Sequence, residues 1–244
     1  MTGTYRIAGR SIRIDSLFEE VQRLCADYRE ETETVDIAVR TVPEDIAFEQ
    51  EKSEKERTIS GLPPVRYEDG YLETLAVYRQ IAERMPAYDT VLFHGSCIAV
   101  DGAAYLFTAK SGTGKSTHTR LWREMLGEKA VMVNDDKPLI RLTEDGAVIC
   151  GTPWDGKHHL SSRTEVPLKA ICLLERAAEN SIRPAGFYEC YPMLLHQVYR
   201  PMDGAAMKKT LELIDRLAAS VSLWRLGCNM DPEAAQISYN AMKD

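Results

Sequence analysis

The sequence lacks an excess of positive charge. Its 244 residues include 30 Lys and Arg against 37 Asp and Glu, so the formal net charge is −7. Proteins that bind nucleic acid in general neutralise its phosphates with a basic surface. The composition therefore argues against a general nucleic-acid binder, but it is compatible with a local basic pocket that holds one nucleotide.

The sequence also lacks paired cysteines and long apolar runs. Its six cysteines are scattered and form no C-x-x-C pair and no dense framework, so we expect reduced, mostly buried thiols. No run approaches the roughly 18 apolar residues of a membrane span, and the N-terminal residues do not resemble a signal peptide. We therefore expect a cytoplasmic protein with no membrane partner.

The N-terminal third shows short, mixed patterns. Alternation over residues 5–14 predicts a hairpin or a bent strand, and apolar residues three and four apart predict helices over 17–29 and 71–85. The runs VDIAVR and DIAFEQ predict strands. The polar stretch after them, which ends in Gly-Pro-Pro, predicts an exposed connection.

Two Asp-Gly pairs lie between β-type runs, at Asp101-Gly102 and at Asp145-Gly146. Asp-Gly in this setting is a strong hairpin signal. The strand before residue 109 should therefore have an antiparallel neighbour, unlike the feeding strand in the parallel sheets of common P-loop proteins. The sequence predicts an α/β fold with a mixed, partly antiparallel sheet. The later pattern predicts a strand over 167–174, a helix over 204–219, the strand VSLWRL and a closing helix from Pro232.

The stretch AKSGTGKS, residues 109–116, matches the relaxed Walker A pattern of a P-loop. Glycines let backbone N–H groups turn towards phosphate oxygens, and the following helix adds its N-terminus. In this pattern Lys115 places a charge on the terminal phosphates and Ser116 is a ligand for Mg²⁺. The residues expected to contact ATP are Ser111, Gly112, Thr113, Gly114, Lys115, Ser116 and Thr117.

A pair of acidic residues follows the next apolar run, in AVMVNDDK. A carboxylate at the end of such a strand can hold Mg²⁺, and a second one can accept the proton of an attacking hydroxyl. Ser116 and Asp135 are the expected metal ligands, and Asp135 and Asp136 are the catalytic acids. The sequence leaves open which Asp is the base.

The segment LFHGSCIAVDGAAYLFTAKSGTGKST, followed by VNDDK, resembles the catalytic domain of HPr kinase/phosphorylase and its relatives. That family shares its P-loop fold with phosphoenolpyruvate carboxykinase. The resemblance implies catalytic roles for Lys115, Asp135 and Asp136. It also implies a catalytic role for His94, which would lie beside the acidic pair and either polarise it or position phosphate. It also implies that residues 89–244 form a nucleotide-binding catalytic core, with residues 1–88 as a strand and helix elaboration packed on it; one continuous domain is the alternative.

Outside this segment the family's Glu-Ile-Arg-Gly stretch is replaced by GTPWDGKHHLSS, so the acceptor and any phosphate-releasing reverse reaction stay open. Within the replacement, Trp154 could offer an aromatic face and Lys157 a cation to a substrate. Arg200, in QVYRPM, could act as an arginine finger. These three are the candidate substrate residues, each with a plain structural role as its alternative.

Taken together, these features predict an ATP- and Mg²⁺-dependent phosphotransferase that acts on a hydroxyl, either a serine in a protein or peptide or a small molecule. The alternatives are a carboxykinase-like enzyme and a non-catalytic ATP-binding sensor. The sequence leaves open whether the protein forms a homo-oligomer.

Overall fold

A three-stranded sheet and three helices form the first of two units in the computed structural model, which describes all residues from Met1 to Asp244. This unit, Met1–Arg84, has the sheet order β1-β2-β3, with β1 and β2 antiparallel and β2 and β3 parallel. Its elements are β1 (Thr2–Ile7), β2 (Arg10–Asp15), α1 (Glu19–Leu24), β3 (Ile37–Arg40), α2 (Pro43–Ile59) and α3 (Asp69–Arg84).

The predicted hairpin is confirmed as β1 and β2, whereas the predicted strand DIAFEQ is wrong, because these residues lie in α2. Pro43 in the first turn and the Asp45 carboxylate, which accepts from the Val42 N–H, favour a helix start. The buried residues Ile46, Glu49 and Gln50 follow helical spacing rather than alternation. The exposed connection therefore begins only after Ile59.

Polar contacts hold this first unit together alongside its apolar core. The Arg79 guanidinium on α3 donates to Glu49 at 2.6 Å and to Asp45 at 2.8 Å, which ties α2 to α3. The fully buried Glu73 carboxylate accepts from the backbone N–H groups of Leu17 and Phe18 at 2.6 and 2.8 Å. Buried carboxylates need such partners, so these bonds fix the start of α1 against α3.

The second unit, Met85–Asp244, is built on a curled mixed sheet of nine strands in the order β4-β8-β9-β10-β6-β5-β7, with β12 beside β10 and β11 beside β12. The strands are β4 (Thr90–Leu92), β5 (Ser96–Val100), β6 (Ala103–Thr108), β7 (Ala130–Asn134), β8 (Leu139–Thr143), β9 (Gly146–Cys150), β10 (Glu165–Arg176), β11 (Ser181–Pro184) and β12 (Ser222–Cys228). The helices are α4 (Lys115–Leu126), α5 (Phe187–Gln197), α6 (Gly204–Ser220) and α7 (Glu233–Met242).

Both predicted hairpins are confirmed. Strands β5 and β6 pair antiparallel around Asp101 and Gly102, and β8 pairs with β9 around Asp145 and Gly146. Asp101 and Gly102 both have positive φ, as the two central residues of a tight hairpin turn require. Strand β6 thus has β5 antiparallel on one side and β10 parallel on the other, which confirms a mixed sheet.

The apolar run over residues 90–100 does not form one strand. It divides into β4, which pairs with β8, and β5, which pairs with β6 and β7. Between them, the Gly95 N–H donates to the Asp136 carbonyl at 3.0 Å. A Cβ on Gly95 would lie 2.7 Å from the Leu106 Cδ1 and 3.0 Å from the Phe107 carbonyl oxygen, so a larger residue would be crowded at this crossing. The break places His94 next to Asp136.

Helices cover both faces of this sheet. Alternate residues of β6 point to opposite sides, with Leu106 facing the cluster that includes α5 and α6, and Phe107 facing the cluster that includes α4 and α7. Helix α5 has no counterpart in the sequence pattern, because Pro192 lies inside it. None of the helices combines the length and hydrophobicity that crossing a bilayer requires.

His118 on α4 is 3% exposed and lies in the core where α4 packs against α7. Its Nε2 lies 3.1 Å from the Ser238 hydroxyl, which also accepts from Trp122 Nε1 at 2.9 Å. The Phe107 ring packs edge-on against the imidazole. Burial lowers the pKa of His118 to about 4, so the ring is neutral in the folded protein at neutral pH.

Acidification should therefore destabilise the fold through His118. The pKa of the His118 imidazole is lower in the folded state than in the unfolded state. Its contribution to the free energy of unfolding is therefore complete above pH 6.5 and is lost as the pH falls towards 4. We expect the wild type to lose about 3 kcal/mol more than His118→Leu over that interval. Urea unfolding at several pH values measures this; equal losses in both proteins would contradict it.

Gly151 should not tolerate a side chain. A Cβ there would lie 1.8 Å from the Ser162 carbonyl oxygen and 2.7 Å from that of Val133, and neither backbone atom can rotate away. We expect Gly151→Ala to cost about 2–4 kcal/mol of unfolding free energy, measured by denaturant titration. Gly204→Ala, with open space around the first residue of α6, is the matched control and should change stability by less than about 0.5 kcal/mol.

Candidate functional site

A glycine-rich loop, residues 109–114, connects β6 to α4. Gly112 and Gly114 have φ values of 75° and 125°, which side-chain-bearing residues rarely adopt, and open space surrounds the Cβ position of Gly112. The Thr113 N–H donates to the Lys110 carbonyl at 3.2 Å and closes a turn. Gly114 is the N-cap residue of α4. The loop therefore leads directly into a helix N-terminus, the part of a helix that attracts anions.

Lys115, the first residue of α4, is buried beneath this loop. Its Nζ donates to the Ala109 carbonyl at 3.3 Å. Burial lowers the pKa of Lys115, while the nearby carboxylates of Asp136 and Asp135 oppose that shift. A single amine therefore faces both the loop backbone and the acidic pair.

The acidic pair follows β7 and is oriented by Asn134, a residue that the sequence pattern did not single out as functional. The buried Asn134 carboxamide accepts from the backbone N–H groups of Asp136 and Lys137 at 2.8 and 2.7 Å. Its Nδ2 donates to the Thr152 carbonyl at 3.0 Å. These bonds form a tight turn in which successive Asp side chains point in fixed directions.

Asp135 is the more buried acid, at 7% exposure. Its carboxylate accepts from the Ser96 hydroxyl at 2.5 Å and from the Ser116 hydroxyl. Burial raises the pKa of Asp135, and the two serine hydrogen bonds oppose this shift. The Thr119 hydroxyl on α4 lies 2.8 Å from the Ser96 hydroxyl on β5, so the serine that bonds Asp135 has a second partner.

Asp136 is more accessible, with 29% of its side chain exposed. His94 Nε2 lies 3.4 Å from one carboxylate oxygen, and Lys137 Nζ lies 3.7 Å from the other. Burial is the main reason that the pKa of His94 is lowered, and the Lys115 charge adds to the shift while Asp136 opposes it. Asp136 thus lies between an imidazole and an amine.

Gln197, the last residue of α5, joins His94 to the glycine-rich loop. Its backbone carbonyl accepts from the His94 N–H at 2.8 Å, and its Nε2 donates to the Ala109 carbonyl at 3.2 Å. Gln197 lies far from both residues in sequence and in a helix that the pattern missed, so no local feature could have identified it.

The segment that follows β9 lies against the acidic pair. A Cβ on Gly156 would lie 3.1 Å from the Asp136 Cβ, and the His158 charge lowers the pKa of Asp135. The Asp155 carboxylate, which the sequence also left unnoticed, is buried and lies 3.2 Å from His159 Nδ1. Ser161 Oγ donates to the same carboxylate at 2.9 Å.

The three candidate substrate residues occupy different settings. Trp154 is 5% exposed and leaves little ring surface for a ligand; its carbonyl accepts from Asn134 Nδ2 at 3.3 Å. Lys157 is exposed beside Gly156. Arg200 is exposed, and no hydrogen bond or ion pair joins it to the acidic pair. The structure therefore brings Lys157 near the acids through its segment, whereas Arg200 makes no direct bond to them.

Arg176, at the end of β10, supports the glycine-rich loop from outside. Its guanidinium donates to the carbonyl oxygens of Gly112 and, at 3.4 Å, of Thr113. Charge-assisted bonds of this kind are stronger than neutral ones. They fix two successive carbonyls on one side of the loop.

Comparisons with known proteins leave the family of this chain unassigned. No protein-family model matches it, and no curated protein is similar to it in sequence. Among solved structures, the Hpr(Ser) kinase/phosphatase from Coxiella burnetii is similar to this chain with 8% identity and a TM-score of 0.36, over 63% of this chain and 99% of that chain. The residues of the site, rather than this likeness, support the function proposed below.

Removing the Arg176 side chain should loosen the glycine-rich loop. We expect Arg176→Ala to speed amide hydrogen exchange in a peptide covering residues 109–117 by about 3- to 10-fold, because two carbonyl contacts are lost. Arg120→Ala removes an exposed α4 arginine that pairs with Glu124 and is the control. Unchanged exchange in Arg176→Ala, or the same increase in both variants, would contradict this role.

Proposed function

We propose that this protein is an ATP- and Mg²⁺-dependent phosphotransferase that moves the terminal phosphoryl group of ATP to a hydroxyl. One observation carries the proposal. The glycine-rich loop brings Lys115 and Ser116 to the same place as two carboxylates, of which one contacts Ser116 and the other contacts His94. Phosphoryl transfer needs a phosphate cradle, oxygen ligands for a metal and a base within one site.

The phosphates of ATP fit the glycine-rich loop. Positive φ at Gly112 and Gly114 and the start of α4 supply a concave backbone with N–H groups for an anion. The only hydrogen-bond partner of the Lys115 amine is the Ala109 backbone carbonyl. The amine can turn from this carbonyl to a phosphate. In this proposal residues 111–117 contact the nucleotide.

Ser116 and Asp135 fit a magnesium ion. Their side-chain oxygens already contact each other, and hydroxyl and carboxylate oxygens are ligands that Mg²⁺ prefers. Ser96 keeps the carboxylate in this direction. Bound there, Mg²⁺ would neutralise the charge that develops on the transferred group.

Asp136 is the residue we assign as the base. It is the more accessible acid, and His94 lies next to one of its oxygens and Lys137 next to the other. In the proposed step the acceptor oxygen forms a bond to the terminal phosphorus as the bond from phosphorus to the bridging oxygen breaks. ADP leaves, and the hydroxyl proton passes to Asp136.

We propose a serine-type hydroxyl, in a protein, a peptide or a small molecule, as the acceptor. The exposed residues 156–159 border Asp136 and would meet the acceptor on its approach, with Lys157 as a cation at that side. Membership of the HPr-kinase-like group and a cytoplasmic location stay predictions. A carboxykinase reaction has less support, because lysines and a histidine rather than arginines surround the acids.

The two acids should differ when each is made neutral. We expect Asp136→Asn to lower kcat by about 100-fold or more, while the nucleotide dissociation constant changes by less than about 3-fold. Asp135→Asn and Ser116→Ala should instead raise the Mg²⁺ concentration needed for half-maximal rate. The assay follows acceptor-dependent ADP release, with phosphorylated serine peptides and free serine detected by mass spectrometry.

Asp145→Asn, a change of the same type in an exposed hairpin turn, is the control and should leave the rate unchanged. Lys115→Met should weaken nucleotide binding, with exposed Lys129→Met as its control. Tight ATP binding without turnover on any acceptor would favour the sensor alternative. Carboxylation of phosphoenolpyruvate would favour the carboxykinase alternative, and either result would contradict the phosphotransferase.

A further inference from the structure

We propose that Gln197 is a positioning residue that couples the nucleotide-binding loop to the base side of the site. The inference rests on the proposed function and adds a residue that touches neither ATP nor acceptor in the scheme above. Gln197 is 4% exposed and contacts both halves of the site at once: the Ala109 carbonyl at the start of the loop and the backbone of His94.

The backbone of Gln197 is fixed on both sides. Its carbonyl accepts from the His94 N–H at 2.8 Å, the next residue, Val198, bridges to Phe93, and the Tyr199 N–H donates to the Leu92 carbonyl at 2.9 Å. The end of α5 therefore runs alongside residues 92–94 as a short antiparallel ladder. A change in the position of one segment moves the other.

The side chain of Gln197 makes the second link. The Ala109 carbonyl oxygen accepts from Gln197 Nε2 at 3.2 Å and from Lys115 Nζ at 3.3 Å. When Lys115 turns to a phosphate, Gln197 stays as the side-chain donor to this oxygen. The start of the loop then keeps its distance from His94 whether nucleotide is bound or not.

The other end of the carboxamide faces His94. Since Nε2 is directed at Ala109, the amide oxygen is the atom that accepts from the imidazole, and this bond raises the pKa of His94. The charged and titratable groups around this point are Lys115, Asp136, Lys137 and His196, whose Nδ1 lies 3.3 Å from Gln197 Nε2. Through its backbone carbonyl and its side chain, Gln197 thus acts on His94, whose Nε2 lies 3.4 Å from Asp136.

Two substitutions separate the two contacts. Gln197→Leu removes both side-chain bonds without adding charge, so we expect kcat to fall about 10-fold while nucleotide affinity changes by less than about 3-fold. Gln197→Glu keeps the acceptor for His94 but places a carboxylate near Lys115, where it competes with phosphate. We expect it to weaken nucleotide binding by about 10-fold or more.

Binding is measured by titration with a fluorescent ADP analogue and Mg²⁺, and turnover by ADP release. Gln236→Leu, the same change on the exposed face of α7, is the control and should alter neither quantity. Thermal unfolding identifies a variant that fails to fold, in which case Gln197→Met replaces Gln197→Leu. Equal effects of the uncharged and the Glu variant on binding, or an unchanged kcat in the uncharged variant, would overturn the proposal.

The failure of the proposed function has a different outcome. If the wild type binds the ADP analogue but never transfers phosphate, the phosphotransferase assignment fails. The contrast in affinity between the uncharged and the Glu variant then still tests whether Gln197 lies against the lysine of the nucleotide loop. Loss of that contrast would contradict the role of Gln197 on its own.

Discussion

The candidate site depends on the hydrogen bonds of the buried Asn134 carboxamide. Asn134 is the last residue of β7, and its side chain accepts from two backbone N–H groups of the turn that follows. These bonds fix the backbone conformation of the turn after β7. On its other side the carboxamide bonds to the Thr152 carbonyl, which joins the turn to the segment after β9. Adjacent carboxylates repel each other, and this turn directs the two side chains to different partners. Asp135 faces serine hydroxyls, and Asp136 faces His94.

Four separate segments meet around this turn. The loop between β6 and α4 supplies an amine and a helix N-terminus, and β5 supplies the serine that orients the inner acid. The break between β4 and β5 places an imidazole beside the outer acid, and the end of α5 connects that imidazole back to the loop. The curled mixed sheet makes this convergence feasible, because the loop-bearing strand has antiparallel β5 on one side and parallel β10 on the other.

Much of the site was predictable from sequence because its patterns are local. The glycine-lysine-serine stretch, the two acids and the Asp-Gly hairpins each lie within a few residues, and local backbone chemistry decides their form. The strand prediction for DIAFEQ was wrong, because a proline and a capping acid outweigh a short alternation. The roles of Asn134, Arg176 and Gln197 were not predictable, since each acts through partners distant in sequence. Trp154 was named for its ring, but the fold buries it.

A crystal structure with Mg²⁺ and a non-hydrolysable ATP analogue tests the central claim most directly. The account predicts that the terminal phosphates lie in residues 109–116 against Lys115 Nζ, that the metal contacts Ser116 and Asp135, and that the Asp136 carboxylate faces the terminal phosphorus with His94 still beside it. A nucleotide bound elsewhere, or an Asp136 side chain turned away from the terminal phosphate, would contradict it.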